Sequence, residues 1–486
     1  MNFSAIFNNI GSLILVLGFS MFISMGWSIH HNENDIMAFV YSIALTLGVG
    51  LLLKIVTKPK GQIGIRESFL IVTLGWTLAG IFGALPFIFS GSVNTFIDGF
   101  FEAVSGFTTT GATIINDVEN LSYGILFWRS FTQWLGGMGI IVLFIALLSK
   151  ISSGSFQLFR AEVPGPTAER ITPRITQTAK ILWFIYVGIS LLQTILLLSV
   201  GFTLFDALTH TFATVATGGF STRNLSIGSF NNPSAEIIIT IFMIIAGGNF
   251  SLYYFLLKGN WRKISDDKEF RFYIALILIS TILIVFNISH LLPSVFDSIR
   301  KSLFQVVSIM TTTGFSTADF DTWPSFSKFI LFILMFAGGC AGSTGGAIKQ
   351  VRILVLFKYV FGEILKILHP KAVIALKVGD KIILDDVTKN ILAFTFIYLF
   401  IFVIGSLLMT LLGLDLESAV SSVAATLGNI GPGFATVGPF HTYSEIPSIG
   451  KLVLSVLMLL GRLELFTVII CFIPEFWKTT KLPSIK

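Results

Sequence analysis

The chain has 486 residues, of which 54% are hydrophobic and only 12% are charged. A soluble globular domain carries about 25% charged residues, so the composition excludes an ordinary soluble protein and favours a chain whose solvent is lipid. The net charge of +6 does not indicate a nucleic-acid-binding protein, because the basic residues lie in loops between apolar runs and form no single stripe.

Two apolar runs of membrane-spanning length come first, at residues 11–27 and 36–55. The first twelve residues contain no Lys or Arg, so they lack the basic region of a cleaved signal peptide. We therefore predict that both runs are retained as transmembrane helices and form an N-terminal extension, residues 1–60.

The rest of the chain repeats one pattern four times: a spanning helix, a half-length apolar segment, a glycine turn and a second spanning helix. The units are predicted at residues 61–175, 176–265, 266–380 and 381–486. Their flanking spans are expected at 69–89 and 124–148, at 181–200 and 236–257, at 272–292 and 326–337 with a continuation after Lys349, and at 391–412 and 449–473. This predicts an all-α integral membrane protein with ten spans and a central pore surrounded by four pseudo-repeated units.

The basic residues predict the orientation of the chain in the membrane. Of the 32 Lys and Arg residues, 25 fall in segments that the ten spans place on one face. Cytoplasmic loops carry the excess of Lys and Arg, so we expect this face and both termini to be cytoplasmic. The four glycine turns then enter the membrane from the outer face.

Each half-length segment, which we call a pore helix, ends at a short motif containing glycine. The motifs are Thr108-Thr109-Thr110-Gly111, Ala216-Thr217-Gly218-Gly219, Thr311-Thr312-Thr313-Gly314 and Gly428-Asn429-Ile430-Gly431. Irregular backbone at membrane depth is tolerated where it is buried in protein or lines a water-filled cavity. Carbonyl oxygens from four such segments can replace the hydration shell of a cation. A single copy indicates only a tight turn between helices, but four copies favour a selectivity filter.

An acidic residue lies near the expected start of each pore helix: Asp98, Asp206, Asp297 and Glu417. A carboxylate at that position stabilises the helix dipole, and a ring of four carboxylates also raises the local concentration of cations. The sequence favours the capping role and leaves the second role open.

The second span of the third unit is interrupted by a glycine loop, residues 338–346, that contains Gly338, Gly339, Gly342, Gly345 and Gly346. Each glycine costs a helix about 1 kcal/mol relative to alanine, so an uninterrupted helix is excluded. The loop lies below the filter of its own unit and indicates a gate, with a static kink as the alternative. It lacks the spacing of a phosphate-binding loop.

Arg462 lies about eleven residues into the last span, near the middle of the membrane. Intramembrane arginine is costly and usually functional, so we predict that Arg462 faces the pore and binds carbonyl groups of the glycine loop. The alternative is a structural pair with a buried carboxylate, for which Glu464 is a poor partner by helical spacing.

The six histidines are scattered, and the two cysteines have no metal-ligand spacing. The sequence shows no Ser–His–Asp arrangement and no paired catalytic carboxylates. We therefore expect no enzyme activity and no cofactor in this chain. A chain of this kind is a gated pore or a secondary transporter that couples cation uptake to protons or sodium. A third class, a membrane receptor or scaffold without transport, is disfavoured by the four glycine motifs.

The four glycine motifs, the glycine loop, Arg462 and the N-terminal helix pair together resemble the TrkH branch of the Trk/Ktr/HKT superfamily of cation transporters. The resemblance covers nearly the whole chain. It implies a single-chain pseudo-fourfold pore that takes up potassium and binds K+ at Thr110, Gly111, Gly218, Gly219, Thr313, Gly314, Ile430 and Gly431. It also implies gating by Gly338, Gly339, Gly342, Gly345, Gly346 and Arg462. The fourth motif departs most from the others, and we assign its filter position to Gly431 and not to Gly433.

The resemblance further implies a homodimer in the bacterial inner membrane. Its implied partner is a separate cytosolic ring of TrkA-like RCK subunits that bind a nucleotide, NAD(H) or ATP/ADP, and control the pore. A filter with one glycine per unit has fewer carbonyl layers than Thr-Val-Gly-Tyr-Gly, so we expect weaker discrimination between potassium and sodium than in tetrameric channels.

Overall fold

A computed structural model describes residues 1–58, 63–148, 175–370, 375–379 and 381–478. The basic segment 149–174, predicted between the first two units, lies outside these residues. α-Helices dominate the described part of the chain, and the strands found there are a short antiparallel pair, β1 (Lys377–Val378) and β2 (Lys381–Ile382). The protein is therefore an all-α membrane protein.

The N-terminal extension consists of α1 (Phe3–His30) and α2 (Ile36–Val56). Helix α1 begins at Asn2, whose side chain accepts a hydrogen bond from the Ala5 amide at 3.1 Å. The two helices pack closely where Gly11 faces Gly50, since a Cβ on Gly11 would lie 3.0 Å from the Gly50 carbonyl oxygen. Small residues at such crossings let helix backbones approach each other within a membrane.

The four units follow in chain order. The first contains α3 (Ile65–Gly83), α4 (Leu85–Phe89), the pore helix α5 (Phe96–Phe107) and α6 (Tyr123–Leu148). The second contains α7 (Ile175–Ser199), the pore helix α8 (Leu204–Val215), α9 (Pro233–Gly247), α10 (Phe250–Leu257) and α11 (Arg262–Ser265). The third contains α12 (Lys268–Ile288), the pore helix α13 (Val295–Met310), α14 (Ser325–Leu334) and α15 (Gln350–Leu368). The fourth contains α16 (Asp385–Leu411), the pore helix α17 (Leu416–Leu427), α18 (Ser448–Arg462), α19 (Phe466–Ile469) and α20 (Pro474–Trp477).

Two of the predicted spans are bent and not continuous. Helices α9 and α10 meet at 101°, and α18 meets the segment Phe466–Phe472 at 111°. The predicted spans at residues 236–257 and 449–473 are therefore each interrupted by a bend that was not predicted. The first bend follows Gly247-Gly248, where Gly248 is extended and Asn249 caps α10. At the second bend Glu464 has a φ of +58°, which is outside the helical range.

Six helices in the described part of the chain are long and apolar enough to cross a membrane, and the two bent pairs raise this number to eight. Helix α6, with 26 residues, covers the span predicted at 124–148. Helix α14 has only 10 residues and ends before the glycine loop. The spans that pack on the pore helices thus differ in length and in continuity.

All four pore helices begin at a side-chain cap: Thr95, Thr203, Ser294 and Asp415. In the first three units the hydroxyl of the cap also donates to a carboxylate in the first turn, at 2.7 to 2.8 Å, with Asp98, Asp206 and Asp297 as the acceptors. The cap hydroxyl also accepts a hydrogen bond from the amide of the same acidic residue, at 3.0 to 3.1 Å, and so satisfies an amide group that has no partner within the helix.

Basic residues neutralise three of the four first-turn carboxylates. The pairs are Lys451 with Asp98 at 2.7 Å, Arg300 with Asp297 at 2.7 Å, and Lys328 with Glu417 at 2.6 Å. Asp206 instead accepts a hydrogen bond from the Thr222 hydroxyl at 2.8 Å. Because each carboxylate has a partner, the structure supports the capping role over that of a free anionic ring.

Candidate functional site

The C-terminal ends of the four pore helices have one geometry. In each unit, the amide of the third residue after the pore helix donates to the carbonyl oxygen five residues earlier, at 2.7 to 2.8 Å. The pairs are Thr110 to Ser105, Gly218 to Ala213, Thr313 to Ser308, and Ile430 to Ala425. The second residue after each pore helix has a positive φ of 54° to 61°. These residues are Thr109, Thr217, Thr312 and Asn429. This is a Schellman motif in which threonine or asparagine occupies the position usually taken by glycine.

A glycine with positive φ follows two residues later in every unit: Gly111, Gly219, Gly314 and Gly431, with φ values of 82°, 75°, 81° and 103°. We call the segments 109–111, 217–219, 312–314 and 429–431 the filter strands. Gly433 does not have a positive φ, so the structure places Gly431 in register with the other three glycines.

The filter strands form a closed ring. A Cβ added to Gly111 would collide with the carbonyl oxygen of Gly218, one on Gly219 with that of Thr313, and one on Gly314 with that of Ile430. A Cβ on Gly431 would lie 2.7 Å from the carbonyl oxygen of Thr110 and so completes the circle. The structure therefore brings together all eight residues predicted to bind potassium. It also shows why each of the four positions needs glycine.

A cavity of about 100 Å³ is lined by all four filter glycines. Its other lining residues include Thr113, Arg129, Ser221 and Tyr443. The Tyr443 hydroxyl donates to the Gly431 carbonyl oxygen at 2.6 Å. The ring is thus reached from a small chamber lined by both polar and apolar residues.

Threonine side chains support the ring. The Thr108 and Thr110 hydroxyls lie 2.8 Å apart, and the Thr311 and Thr313 hydroxyls lie 2.7 Å apart. Asn429 replaces threonine in the fourth unit, and its Nδ2 donates to the Thr110 hydroxyl at 3.0 Å. The fourth unit, whose motif departs most in sequence, is joined to the first by this bond.

The glycine loop packs directly against the ends of the pore helices. The Gly346 amide donates to the Thr312 hydroxyl at 2.7 Å, and the Thr344 hydroxyl lies 3.1 Å from the Val215 carbonyl oxygen. A Cβ on Gly346 would collide with the Gly428 carbonyl oxygen, and one on Gly345 would lie 3.0 Å from that of Thr311. The loop therefore contacts the ends of three pore helices, and its glycines permit this approach.

Arg462, the last residue of α18, is buried and bonds to the glycine loop. Its Nη1 donates to the Thr344 carbonyl oxygen at 2.6 Å, and its Nη2 donates to the Gly136 carbonyl oxygen at 3.3 Å. The arginine thus connects the loop to α6. The structure brings Arg462 and the loop together as the sequence predicts.

Two side chains outside the glycine loop hold it in place. The Glu269 carboxylate accepts hydrogen bonds from the Ala341 amide, inside the loop, at 2.6 Å and from the Val351 amide, in α15, at 3.1 Å. Gln350 Nε2 donates to the Gly338 carbonyl oxygen at 2.6 Å. Glu269, in the first turn of α12, thus joins the loop to the start of α15.

Two further ion pairs were not anticipated. Glu464, considered only as a poor partner for Arg462, pairs with Arg352. Arg129, in α6, pairs with Glu102 of the first pore helix at 2.9 Å. Arg129 lies inside the apolar run 124–148, so it carries the same sequence signal as Arg462, an arginine at membrane depth.

Among the residues that the structure describes, no three His, Cys, Asp or Glu side chains are arranged to hold a metal ion. The constellation at the centre of the molecule is instead made of backbone carbonyl groups and glycine. The fold and this ring define a class: an all-α, multi-pass membrane protein with four pore-type units in one chain.

Comparison with known proteins identifies the family. The sequence model of the TrkH family, which is described as a cation transport protein, matches residues 34–479. The Trk system potassium uptake protein TrkH of Escherichia coli K12 is 41% identical, over 98% of this chain and 100% of the relative. TrkG of the same organism is 35% identical, over 96% of this chain and 97% of that protein. The crystal structure of the potassium transporter TrkH from Vibrio parahaemolyticus matches with a TM-score of 0.90 and 36% identity, over 98% of this chain and 100% of that one. The chain therefore belongs to the TrkH family of cation transport proteins.

Proposed function

We propose that the protein takes up potassium across the cell membrane through a gated pore whose filter is the ring of four filter strands. The observation that carries this proposal is the closed contact of each filter glycine with a carbonyl oxygen of the next unit. Family membership and the potassium uptake named for its relatives support the choice of ion.

The carbonyl groups of Thr110, Gly218, Thr313 and Ile430, with those of the glycines that follow them, replace the hydration shell of K+ in this proposal. The C-terminal ends of four pore helices meet at the ring, and their dipoles favour a cation. No bond is made or broken, so the protein acts as a transporter and not as an enzyme. K+ is the permeant ion, and the chain needs no cofactor of its own.

The glycine loop and Arg462 form the gate in this proposal. The loop lies across the ends of three pore helices, and the buried arginine bonds to its Thr344 carbonyl oxygen. Opening then requires the loop to leave these contacts. A buried charge that loses its partner is costly, which favours the closed arrangement until another force acts on it.

We further propose a homodimer in the bacterial inner membrane. Both termini lie in the cytoplasm in this proposal, which accords with the distribution of Lys and Arg. Opening is controlled by separate cytosolic TrkA-like RCK subunits that bind NAD(H) or ATP/ADP. The relatives are named as members of a Trk system, which accords with a partner encoded separately.

The alternative is a secondary transporter that couples potassium uptake to protons or sodium. Coupling needs an intramembrane group that can bind the second ion. The buried carboxylates Glu102 and Glu236 are each paired with an arginine, and that of Glu269 accepts two amide hydrogen bonds, so each is already engaged in a structural contact, which opposes this role. The gated pore accounts for these contacts without a further group.

Ion flux into liposomes containing the purified chain tests the proposal. Gradients of K+, Rb+, Na+ and Li+ are applied in turn, with the proton gradient collapsed. Downhill flux of K+ and Rb+ above that of Na+ and Li+ supports the pore. Flux that requires a proton or sodium gradient, in the wild type and in Arg462→Ala, would replace the pore with the coupled transporter.

A further inference from the structure

The four pore helices carry different side chains at one equivalent position, nine residues before each filter glycine: Glu102, His210, Gln305 and Ser422. In the first two units this side chain reaches a hydroxyl just beyond the filter strand. The Thr113 hydroxyl lies 3.0 Å from Glu102 Oε1, and the Ser221 hydroxyl lies 2.9 Å from His210 Nε2. Gln305 makes a longer bond of 3.4 Å to Thr317. In these three units the pore helix thus holds the segment that follows the filter glycine. Only in the first unit is the side chain that does so a carboxylate.

The carboxylate in the first unit is part of a network centred on Arg129. The guanidinium donates through Nε to Glu102 at 2.9 Å, through Nη1 to the Ser221 carbonyl oxygen at 3.1 Å, and through Nη2 to the Thr113 hydroxyl at 3.2 Å. Its central carbon lies 4.2 Å from the centre of the Phe220 ring. One side chain therefore contacts the segments that follow both Gly111 and Gly219.

The other interfaces between units use different contacts beyond the filter. Between the second and third units, the Gly228 amide bonds to the Ser316 carbonyl oxygen at 3.1 Å, and the Ser316 amide bonds to the Ser226 hydroxyl at 3.2 Å. Between the fourth and first units, the Tyr443 amide bonds to the Thr113 carbonyl oxygen at 2.8 Å. Between the third and fourth units, the Asp321 carboxylate accepts a hydrogen bond from the Ala435 amide at 3.0 Å. At the interface of the first and second units, the buried guanidinium of Arg129 makes the corresponding link.

The Arg129 and Glu102 side chains are only 2% and 0% exposed. Removing one partner of such a buried pair leaves an uncompensated charge, which is strongly unfavourable. Arg129 nevertheless lines the cavity above the filter glycines. Without Glu102 it would present a fixed positive charge to an entering cation.

We propose that Arg129, held and neutralised by Glu102, is a positioning residue that determines the ion selectivity of the filter by fixing the first and second filter strands against each other. The proposal rests on the function proposed above, since it assigns Arg129 to the same ring. Glu102 has two separable roles: it orients the guanidinium, and it cancels its charge.

The test compares K+ and Na+ flux into liposomes for the wild type, Arg129→Lys, Glu102→Gln and the double variant Glu102→Gln/Arg129→Gln. Arg129→Lys keeps the charge but loses the forked hydrogen bonds, so the ratio of K+ to Na+ flux should fall about tenfold, as for the loss of one charge-assisted bond. Glu102→Gln should lower total flux at low ionic strength, and added salt should restore it in part. The double variant should recover total flux but not the ratio.

Asp98→Asn is the matched control, because Asp98 lies one turn earlier on the same helix and pairs with Lys451 at 2.7 Å. It should lower thermal stability and leave the flux ratio unchanged. If the Arg129 variants fold and keep the wild-type flux ratio, the inference is wrong while the filter remains. If the wild type itself does not discriminate between K+ and Na+, the proposed selectivity filter is wrong, and the inference about Arg129 falls with it. If Arg129→Lys does not fold, the salt dependence of flux through Glu102→Gln tests the inference instead. Flux that does not depend on salt would mean that Glu102 does not cancel the charge of Arg129 for an entering cation.

Discussion

The filter strands and the spans that flank them differ in their symmetry. All four filter strands share the same helix ending, the same pair of positive φ values and the same contact with the next unit. The second spans do not match one another. Helix α6 is continuous, α9/α10 and α18/α19 are bent at different places, and α14 and α15 are separated by the glycine loop.

In the proposed function, this difference corresponds to two tasks within one chain. A ring of carbonyl groups around an ion requires an equal contribution from every unit, which explains the repetition. A gate needs to close the path only once, and the candidate gate is built from one loop and one arginine. Variants of the ring should therefore change which ion passes, and variants of the loop should change how much passes.

The largest effect is expected at the ring. Gly314→Ser introduces a Cβ at a φ of +81°, where it collides with the Ile430 carbonyl oxygen. Strain of this kind costs about 1–3 kcal/mol, and the ring has to open to relieve it. We expect discrimination between K+ and Na+ to be lost in liposome flux. Gly48→Ser is the control, because a Cβ there meets nothing within 4 Å. Unchanged discrimination in Gly314→Ser would remove Gly314 from the filter.

The next effect is expected at the gate. Arg462→Ala removes the bond to the Thr344 carbonyl oxygen, which as a hydrogen bond from a charged group contributes about 1.5–3 kcal/mol. Basal K+ flux without any partner should rise about tenfold or more. Deleting residues 338–346 should raise it as well. The control is Arg262→Ala, at an exposed arginine of α11. Flux at the wild-type level in both gate variants would assign the loop to a static kink.

A smaller effect is expected where Glu269 joins the loop to the start of α15. Glu269→Ala removes the acceptor for the Ala341 and Val351 amides. Basal flux should rise about threefold, less than for Arg462→Ala, since other loop contacts remain. Glu269→Gln keeps a carbonyl acceptor and serves as the control. Equal flux in the Ala and Gln variants would mean that these bonds do not restrain the loop.

The smallest effect is expected at the start of the fourth pore helix. The Ser418 hydroxyl, followed by the Ser418 amide, lowers the pKa of Asp415 below its ordinary value of 3.8. The cap therefore stabilises the protein above that pH and ceases to do so as the pH falls through the lowered pKa. Asp415→Ala should cost about 1 kcal/mol, measured as a small decrease in the thermal midpoint at pH 7.

Asp415→Asn is the matched variant, because asparagine also caps helices but does not titrate. It should keep the midpoint near that of the wild type and lose the pH dependence contributed by this cap. A midpoint unaffected by Asp415→Ala would mean that the pore helix does not need the cap.

The sequence predicted the parts of the molecule that depend on local composition. Apolar runs and glycine motifs were sufficient for the four units, because spanning length and positive φ are both properties of short segments. The bends after Gly247 and near Glu464 were missed. The first had a visible signal in the pair Gly247-Gly248, whereas the positive φ of Glu464 depends on tertiary contacts such as its pair with Arg352.

The candidate site was predicted less completely than the fold. The glycines and Arg462 stood out by residue type, and the structure places them together. The residues that support them, such as Glu102, Glu269 and Asn429, are distant in sequence from what they hold. Asn429 and Thr110 are joined by a hydrogen bond across 319 positions, and no local pattern predicts such a contact.

The most direct test of the division between ring and loop is to measure K+, Rb+, Na+ and Li+ flux for Gly314→Ser and Arg462→Ala in the same liposome preparation. We expect Gly314→Ser to change the flux ratios. We expect Arg462→Ala to raise the flux of K+ and Rb+ and to leave the ratios as in the wild type. If Arg462→Ala altered the ratios as much as Gly314→Ser did, ion selection and gating would not be separate functions of the ring and the loop.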